Sequence, residues 1–117
     1  MEKWTAPRFR TVADRYLRAA LKGGSKPNVT ELAANAGMSA ADFSNLFFRV
    51  VRLRPSEYLK RGQIERSKRL LLKTDARMNQ IAYKCGFGTR RSFFRAFKRA
   101  TGVTPARWRR SALFVAR

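Results

Sequence analysis

The chain has 117 residues, a length that suits one domain or two small lobes sharing a connector. Its 27 Lys and Arg residues against 7 Asp and Glu give a net charge of +20, which indicates an anionic partner, either a nucleic-acid backbone or an anionic membrane surface. Histidine is absent and Cys85 is the single cysteine, so the sequence excludes a histidine-based triad, the common zinc sites and an internal disulfide. We therefore expect no enzyme activity, no catalytic residue, no metal site and no cofactor.

The sequence lacks the segments that would insert a protein into a membrane or export it. No apolar run reaches the length of about 18 residues that a transmembrane helix needs, and the first residues lack the apolar stretch of a signal peptide. The lone cysteine fits a reducing compartment. We expect a soluble cytoplasmic protein. A membrane-active protein is the weaker interpretation, because core packing already accounts for the apolar stripes described next.

The first predicted helix carries one apolar stripe. Apolar residues recur at three- and four-residue steps from Phe9 to Leu21, and Gly23 and Gly24 then end the pattern. No segment of the chain alternates for long between apolar and polar residues, and no Asn-Gly or Asp-Gly turn is present. The sequence therefore predicts an all-α fold.

The next two predicted helices are short and close together. Thr30 is the predicted N-cap of a helix that Gly37 closes. Ser39 is the predicted N-cap of the following helix, which has Phe43 and Phe47 on its inner face. Two short helices joined by a turn that contains glycine are typical of a helix-turn-helix.

The same design recurs later in the chain, at an offset of 49 residues and then, after one extra residue in the turn, at an offset of 50. The matching pairs are Leu32/Ile81, Ala33/Ala82, Ala36/Cys85, Gly37/Gly86, Met38/Phe87, Phe43/Phe93, Phe47/Phe97, Arg49/Arg99, Pro55/Pro105 and Tyr58/Trp108. A duplication is much stronger evidence than one motif match. It predicts two helix-turn-helix units, each followed by a proline-started helix whose aromatic residue packs back on its own unit.

A single helix is predicted between the two copies, from Pro55 to about Leu72. Gly62 lies in its middle and should cost about 1 kcal/mol of helix stability relative to alanine. We expect this connector to fix the spacing of the two units rather than to flex. The predicted organisation is an N-terminal helix with the first helix-turn-helix in 1–54, the linker helix in 55–73, and the second helix-turn-helix with a C-terminal helix in 74–117.

Three segments of the chain resemble the DNA-binding domain of AraC/XylS-type transcription regulators. They are TELAANAGMSAADFSNLFFRV, RPSEYLKRGQIERSKRLLLKT and, most specifically, NQIAYKCGFGTRRSFFRAFKRATGVTPARWRR. The resemblance runs from Val29 to Arg110. It implies about seven helices in two helix-turn-helix lobes joined by a long helix.

The resemblance also implies a function. Double-stranded DNA would be read in two successive major grooves, about 34 Å apart on one face of the duplex. The protein would be a bacterial transcription regulator in the cytoplasm, at the nucleoid, and an activator that contacts RNA polymerase. Full-length members commonly carry an effector-binding or dimerisation domain, which is absent from this chain. The chain would then be either a small stand-alone regulator or part of a larger protein.

The residues expected to touch DNA begin at the N-terminal part of the second helix of each unit, which meets the base edges in helix-turn-helix proteins. In the second unit the base-contacting candidates are Arg90, Arg91, Ser92 and Arg95. An arginine in the groove can bond guanine O6 and N7 together. Thr89 and Lys98 are the candidates for phosphate contact. The plainer interpretation is that all these arginines only hold phosphates.

The first unit offers a different set of groove-facing residues: Ala41, Ser44 and Asn45. Asparagine can read adenine, and alanine can pack on a thymine methyl group. Arg49, one turn beyond, is a candidate for phosphate contact. The alternative for Asn45 is an ordinary solvated surface residue.

Two positions of the first unit depart from the pattern of the second. Arg52 stands where the second copy has Gly102, so we expect the first recognition helix to end differently, with a less regular cap. Phe48 stands where the second copy has Lys98, so one phosphate contact is expected to be missing.

The charge is distributed unevenly between the copies. From Ala76 to Arg117 there are eleven basic residues and no acidic one. We therefore expect the second unit to supply more of the salt-dependent affinity. An RNA-binding protein would share the charge, and exposed phenylalanines could stack on single strands, but neither function needs two helix-turn-helix copies. Cys85 is read as a small core residue rather than as a redox sensor.

Overall fold

The computed structural model describes residues 3–115 and, within them, seven α-helices and no β-strand. The helices are α1 (Ala6–Lys22), α2 (Val29–Asn35), α3 (Ala40–Val51), α4 (Pro55–Lys73), α5 (Met78–Lys84), α6 (Arg90–Thr101) and α7 (Pro105–Val115). The predicted all-α architecture is confirmed. The chain divides into two compact units, Met1–Gly62 and Gln63–Arg117, with the boundary inside α4. The predicted three-part division, with the linker helix as a separate segment, stays a prediction.

The core of the first unit is built around Phe9 of α1. Its ring meets Phe43 and Phe47 of α3 edge-on, at centroid distances of 5.5 and 5.3 Å, and all three side chains are fully buried. Leu32 of α2 is buried in the same cluster. Edge-to-face phenylalanine pairs add to the gain from burying their apolar surface, so α1 and α3 are held by their inner faces.

The core of the second unit has Phe93 and Phe97 of α6 at its centre, 5.7 Å apart and fully buried. Ile81 of α5 packs with them. The buried amide of Gln63 donates a hydrogen bond of 2.9 Å to the backbone carbonyl of Cys85, which satisfies a polar group within the cluster. The end of α5 is thereby tied to α4.

The turn of each helix-turn-helix starts with the same hydrogen-bond pattern. In the first unit the N–H of Met38 bonds the carbonyl of Ala33 at 3.0 Å, and φ is +74° at Gly37. In the second unit the N–H of Phe87 bonds the carbonyl of Ala82 at 2.9 Å, and φ at Gly86 is +79°. This is a Schellman ending, in which a left-handed residue lets the chain reverse. The extra residue of the second turn is accommodated by a second left-handed glycine, Gly88, with φ +79°.

The N-cap of α2 is Asn28, so the prediction of Thr30 was wrong. The Asn28 side chain accepts a 2.8 Å hydrogen bond from the N–H of Glu31. Thr30 lies inside the helix and is exposed. The N-cap at Ser39 is as predicted, since its hydroxyl accepts from the N–H of Asp42 at 3.2 Å.

The end of α3 also corrects a prediction. Arg52 adopts a left-handed conformation with φ 69°, and its N–H bonds the carbonyl of Phe48. Gly102 does the same at the end of α6, with φ 85° and a bond to the carbonyl of Lys98. The two recognition helices therefore end alike, and α3 does so with a non-glycine residue in a position that favours glycine.

The aromatic residue of each proline-started helix packs on its own unit, as the duplication predicts. Tyr58 of α4 meets Phe47 edge-on at 5.6 Å, and Trp108 of α7 meets Phe97 edge-on at 5.8 Å. These contacts brace the inner side of each recognition helix, which leaves the outer side available to a ligand.

Candidate nucleic-acid interface

The N-terminus of α6 is closed by Thr89. Its hydroxyl accepts from the N–H of Ser92 and donates to the Ser92 hydroxyl, each at 3.0 Å. Thr89 is a predicted phosphate contact, and a phosphate at its hydroxyl would have to replace one of these bonds. Both residues are exposed, at the end of the helix whose dipole favours an anion.

The outer face of α6 is a line of cations. Arg91 and Arg95 lie one turn apart on the side opposite the buried Phe93 and Phe97, and Lys98 continues the line. All three cationic side chains are exposed. The helix carries five basic residues and no acidic one. Its outer side is thus suited to enter a groove between two phosphate backbones.

Arg90 occupies the flank of α6 rather than this line. Its guanidinium lies over the ring of Phe94, 5.0 Å from the centroid. Phe94 is half-buried and itself packs edge-on against Phe93 at 5.9 Å. The contact therefore anchors Arg90 beside the helix, and reaching a base from there would require the guanidinium to leave the ring.

The outer face of α3 is short and nearly neutral. Ala41 and Asn45 are exposed opposite Phe43 and Phe47, at the places that Arg91 and Arg95 hold on α6, whereas Ser44 is half-buried on the flank. Arg49 is exposed near the C-terminal end. The helix carries one basic and one acidic residue, so it has no net charge, whereas α6 carries five basic residues and no acidic one.

Phe48 gives α3 an apolar feature that α6 lacks. Its ring is 43% exposed, and the guanidinium of Arg54 lies 5.2 Å from its centroid. Lys98 has the corresponding place in the second unit. Arg54 therefore partly offsets the expected loss of one cation from this face. The sequence did not predict this role for Arg54, because the residue lies beyond the end of α3.

Two hydrogen-bonded networks were not predicted. In the first unit the Tyr16 hydroxyl donates to a carboxylate oxygen of Glu31 and accepts from the N–H of Asn28, both at 2.9 Å. In the second unit Arg109 donates through Nε to the carbonyl of Leu71 at 2.8 Å, and through Nη2 to two carbonyls just after α4. The second network ties α7 to α4, so Arg109 is committed to the fold rather than to a phosphate.

Cys85 and Tyr58 are the titratable groups that burial alters most visibly. Burial raises the pKa of the Cys85 thiol to about 11, although the positive charges of Arg66 and Arg69 act in the opposite direction. Since the thiol is fully buried, it stays protonated and unreactive at neutral pH. Burial, with the nearby Asp14 carboxylate, raises the pKa of Tyr58 to about 12. Neither group titrates in the physiological range.

The described part of the chain holds no membrane-spanning or metal-binding feature. Of the helices formed by residues 3–115, none is long and apolar enough to cross a membrane. Within the same residues, no three His, Cys, Asp or Glu side chains are grouped so that they could hold a metal ion.

Comparison with known proteins identifies the family. A family model described as a helix-turn-helix domain matches residues 32–111, which run from within α2 to within α7. The chain belongs to the AraC/XylS-type helix-turn-helix family. An AraC-like transcription regulator of Streptomyces antibioticus is 35% identical over 82 residues, which are 70% of this chain and 27% of that protein. The protein named probable transcriptional regulator LumQ, of Photobacterium leiognathi, is 30% identical over 95 residues, 81% of this chain and 38% of its own length.

The AraC/XylS-type fold is also found among solved structures. The DNA-binding domain of AdpA, a global transcriptional factor solved in complex with a target DNA, superposes with a TM-score of 0.74 at 27% identity. The match covers 85% of this chain and 90% of that one. The chain spans between about a quarter and two fifths of the length of the curated relatives it matches. Both of these relatives are named as transcription regulators.

Proposed function

We propose that the chain binds duplex DNA sequence-specifically, with α3 and α6 in two successive major grooves. The observation that carries the proposal is the outer face of α6, where Arg91 and Arg95 are exposed opposite a buried phenylalanine pair at the place where helix-turn-helix proteins meet base edges. The AdpA domain of similar fold, solved with its target DNA, supports this function.

The two helices are proposed to read different chemistry. Arg91 and Arg95 reach guanine O6 and N7, while Asn45 and Ala41 read an adenine and a thymine methyl group. Arg90, Ser92 and Ser44 complete the base-contacting set proposed from the sequence. Arg49, Thr89 and Lys98 hold phosphates, which position the helices without contributing specificity.

The biological role proposed is transcription regulation in the bacterial cytoplasm, at the nucleoid, by activation at promoters. RNA polymerase is the proposed protein partner. The relatives that match this chain are named as transcription regulators, which supports the role.

The proposal is tested with 7-deazaguanine, a base that lacks the N7 acceptor in the major groove but still pairs normally. Replacing the guanine read by Arg95 in a selected duplex site should weaken binding of the wild type about tenfold. Binding by Arg95→Ala should not respond to the same replacement, since the contact is already lost. Insensitivity of the wild type at every guanine, or equal affinity for single-stranded RNA, would contradict the proposal.

A further inference from the structure

The outer face of α1 carries a second line of cations, away from the recognition helix. Arg15, Arg18 and Lys22 are all exposed. They are three and four residues apart, so they lie along one side of the helix, opposite the buried Phe9 and Ala13. We call these three residues the α1 stripe. It lies outside the residues that the family model matches.

No carboxylate among residues 3–115 neutralises the α1 stripe by an ion pair. The acidic residue of α1, Asp14, lies on the flank and accepts a 2.9 Å hydrogen bond from the Tyr58 hydroxyl. Surface cations of an ordinary solvated helix are usually interspersed with acidic residues. Three adjacent cations without such partners repel one another, and an anionic ligand would relieve that repulsion.

The packing of the first unit places the α1 stripe on the side opposite the proposed groove-facing residues. Phe9 of α1 packs against Phe43 and Phe47 on the inner side of α3. Asn45 is exposed on the outer side of α3, and the α1 stripe on the outer side of α1. A duplex held by α3 therefore leaves the stripe free.

The composition of the stripe indicates the chemistry of its partner. The centres of protein interfaces are rich in aromatic and apolar residues and poor in charge, whereas phosphate contacts need only Lys and Arg. The other exposed residues on this side of α1 are Pro7, Thr11, Asp14 and Ala19, and none of them supplies a large apolar anchor. We propose that the α1 stripe binds the phosphate backbone of a second DNA duplex, so that the protein can bridge two segments of DNA.

A capture experiment tests the bridge. A biotinylated duplex containing the selected site is immobilised and loaded with protein, and a fluorescent duplex of unrelated sequence is then added at low salt. The wild type should retain the fluorescent duplex. Three phosphate contacts predict that the captured duplex binds about 40-fold more weakly at about 200 mM than at about 50 mM salt.

The decisive variant combines Arg15→Gln, Arg18→Gln and Lys22→Gln. It should load on the immobilised site within about twofold of the wild type, yet capture the second duplex at least about tenfold less well. A matched control removes the same charge from exposed positions of α4 through Lys60→Gln, Arg61→Gln and Lys73→Gln, and should capture nearly as well as the wild type. Thermal unfolding followed by circular dichroism checks that both variants fold.

Three outcomes would overturn the bridge: no capture by the wild type, capture by the stripe variant equal to that of the wild type, or equal losses in both variants. The second outcome would mean that the two helix-turn-helix units hold separate duplexes. Loading on the immobilised site reports on the proposed groove contacts independently, so failure of one proposal is distinguishable from failure of the other.

Discussion

Arg52 and Gly102 hold the same left-handed backbone position, one residue past the recognition helix of each unit. Their φ angles are 69° and 85°, and each donates its N–H to the carbonyl four residues earlier. Among residues 3–115, Arg52 is the non-glycine residue with positive φ. The first unit therefore carries backbone strain at a point where the second has none.

Replacing Arg52 by glycine should stabilise the first unit. The substitution removes the clash of a Cβ in the left-handed region, which is worth about 1 kcal/mol in the free energy of unfolding. Urea denaturation of Arg52→Gly against the wild type measures the gain. The reciprocal change, Gly102→Ala, should destabilise the second unit by a similar amount, and an unchanged stability in both variants would show that the strain is absent.

Gly62 and Leu17 should be energetically coupled. A Cβ on Gly62 would lie 2.5 Å from Cδ2 of Leu17, a buried residue of α1. Alanine at position 62 gains about 1 kcal/mol of helix propensity, but the overlap with Leu17 offsets that gain. Gly62→Ala should therefore stabilise the protein only in a Leu17→Ala background. A double-mutant cycle by urea denaturation checks this, and identical effects in both backgrounds would contradict it.

Arg109 should contribute to stability through geometry rather than charge. Its guanidinium bonds three backbone carbonyls at and beyond the end of α4, at 2.8, 3.1 and 3.2 Å. Arg109→Lys keeps the charge but loses the planar guanidinium group, which can donate to several carbonyls at once. We therefore expect a loss of about 1–3 kcal/mol in the free energy of unfolding. The exposed neighbour supplies the control, because Arg110→Lys should change stability by less than about 0.5 kcal/mol. Equal stabilities of the two variants would show that the hydrogen bonds of Arg109 do not contribute to the stability of the fold.

The two recognition helices should differ in the salt dependence of their DNA contacts. Arg95→Ala removes a cation from a helix with five basic residues, so it should weaken binding and reduce the slope of log K against log salt by about 1. Asn45→Ala removes a neutral side chain and should leave the slope unchanged. Fluorescence anisotropy over a salt series measures both variants. A larger affinity loss and slope change for Asn45→Ala would reverse the assignment.

The features predicted correctly from the sequence are those that both copies of the helix-turn-helix share. The pairs Phe43/Phe93 and Phe47/Phe97 identified the two inner faces, and the structure buries all four rings. Pairing Tyr58 with Trp108 predicted the aromatic contacts that follow each unit. Such features recur at fixed spacing because the helices of both copies pack through the same positions.

Features that depend on backbone geometry, or on partners distant in the sequence, were not predicted from the sequence. Asn28 and Thr30 are both favourable N-cap residue types, and the sequence does not show that the helix already begins at Val29, with the N–H of Glu31 bonded to the Asn28 side chain. The carbonyls that Arg109 binds lie more than thirty residues earlier and carry no side-chain signature. The sequence predicts that Gly62 lowers helix stability. The reason for a glycine at this position is the close approach of the Leu17 side chain, which only the packing of α1 shows.

Selection of binding sites from a randomised duplex library, at near-physiological salt, tests the central claim most directly. Two reading helices on one chain predict two short enriched blocks about 10 base pairs apart, with guanine in the block read by Arg91 and Arg95. Repeating the selection with Arg95→Ala should relax that block alone. A single enriched block would reduce the first unit to a positioning role, and no enrichment despite tight, salt-sensitive binding would contradict sequence-specific recognition by this protein.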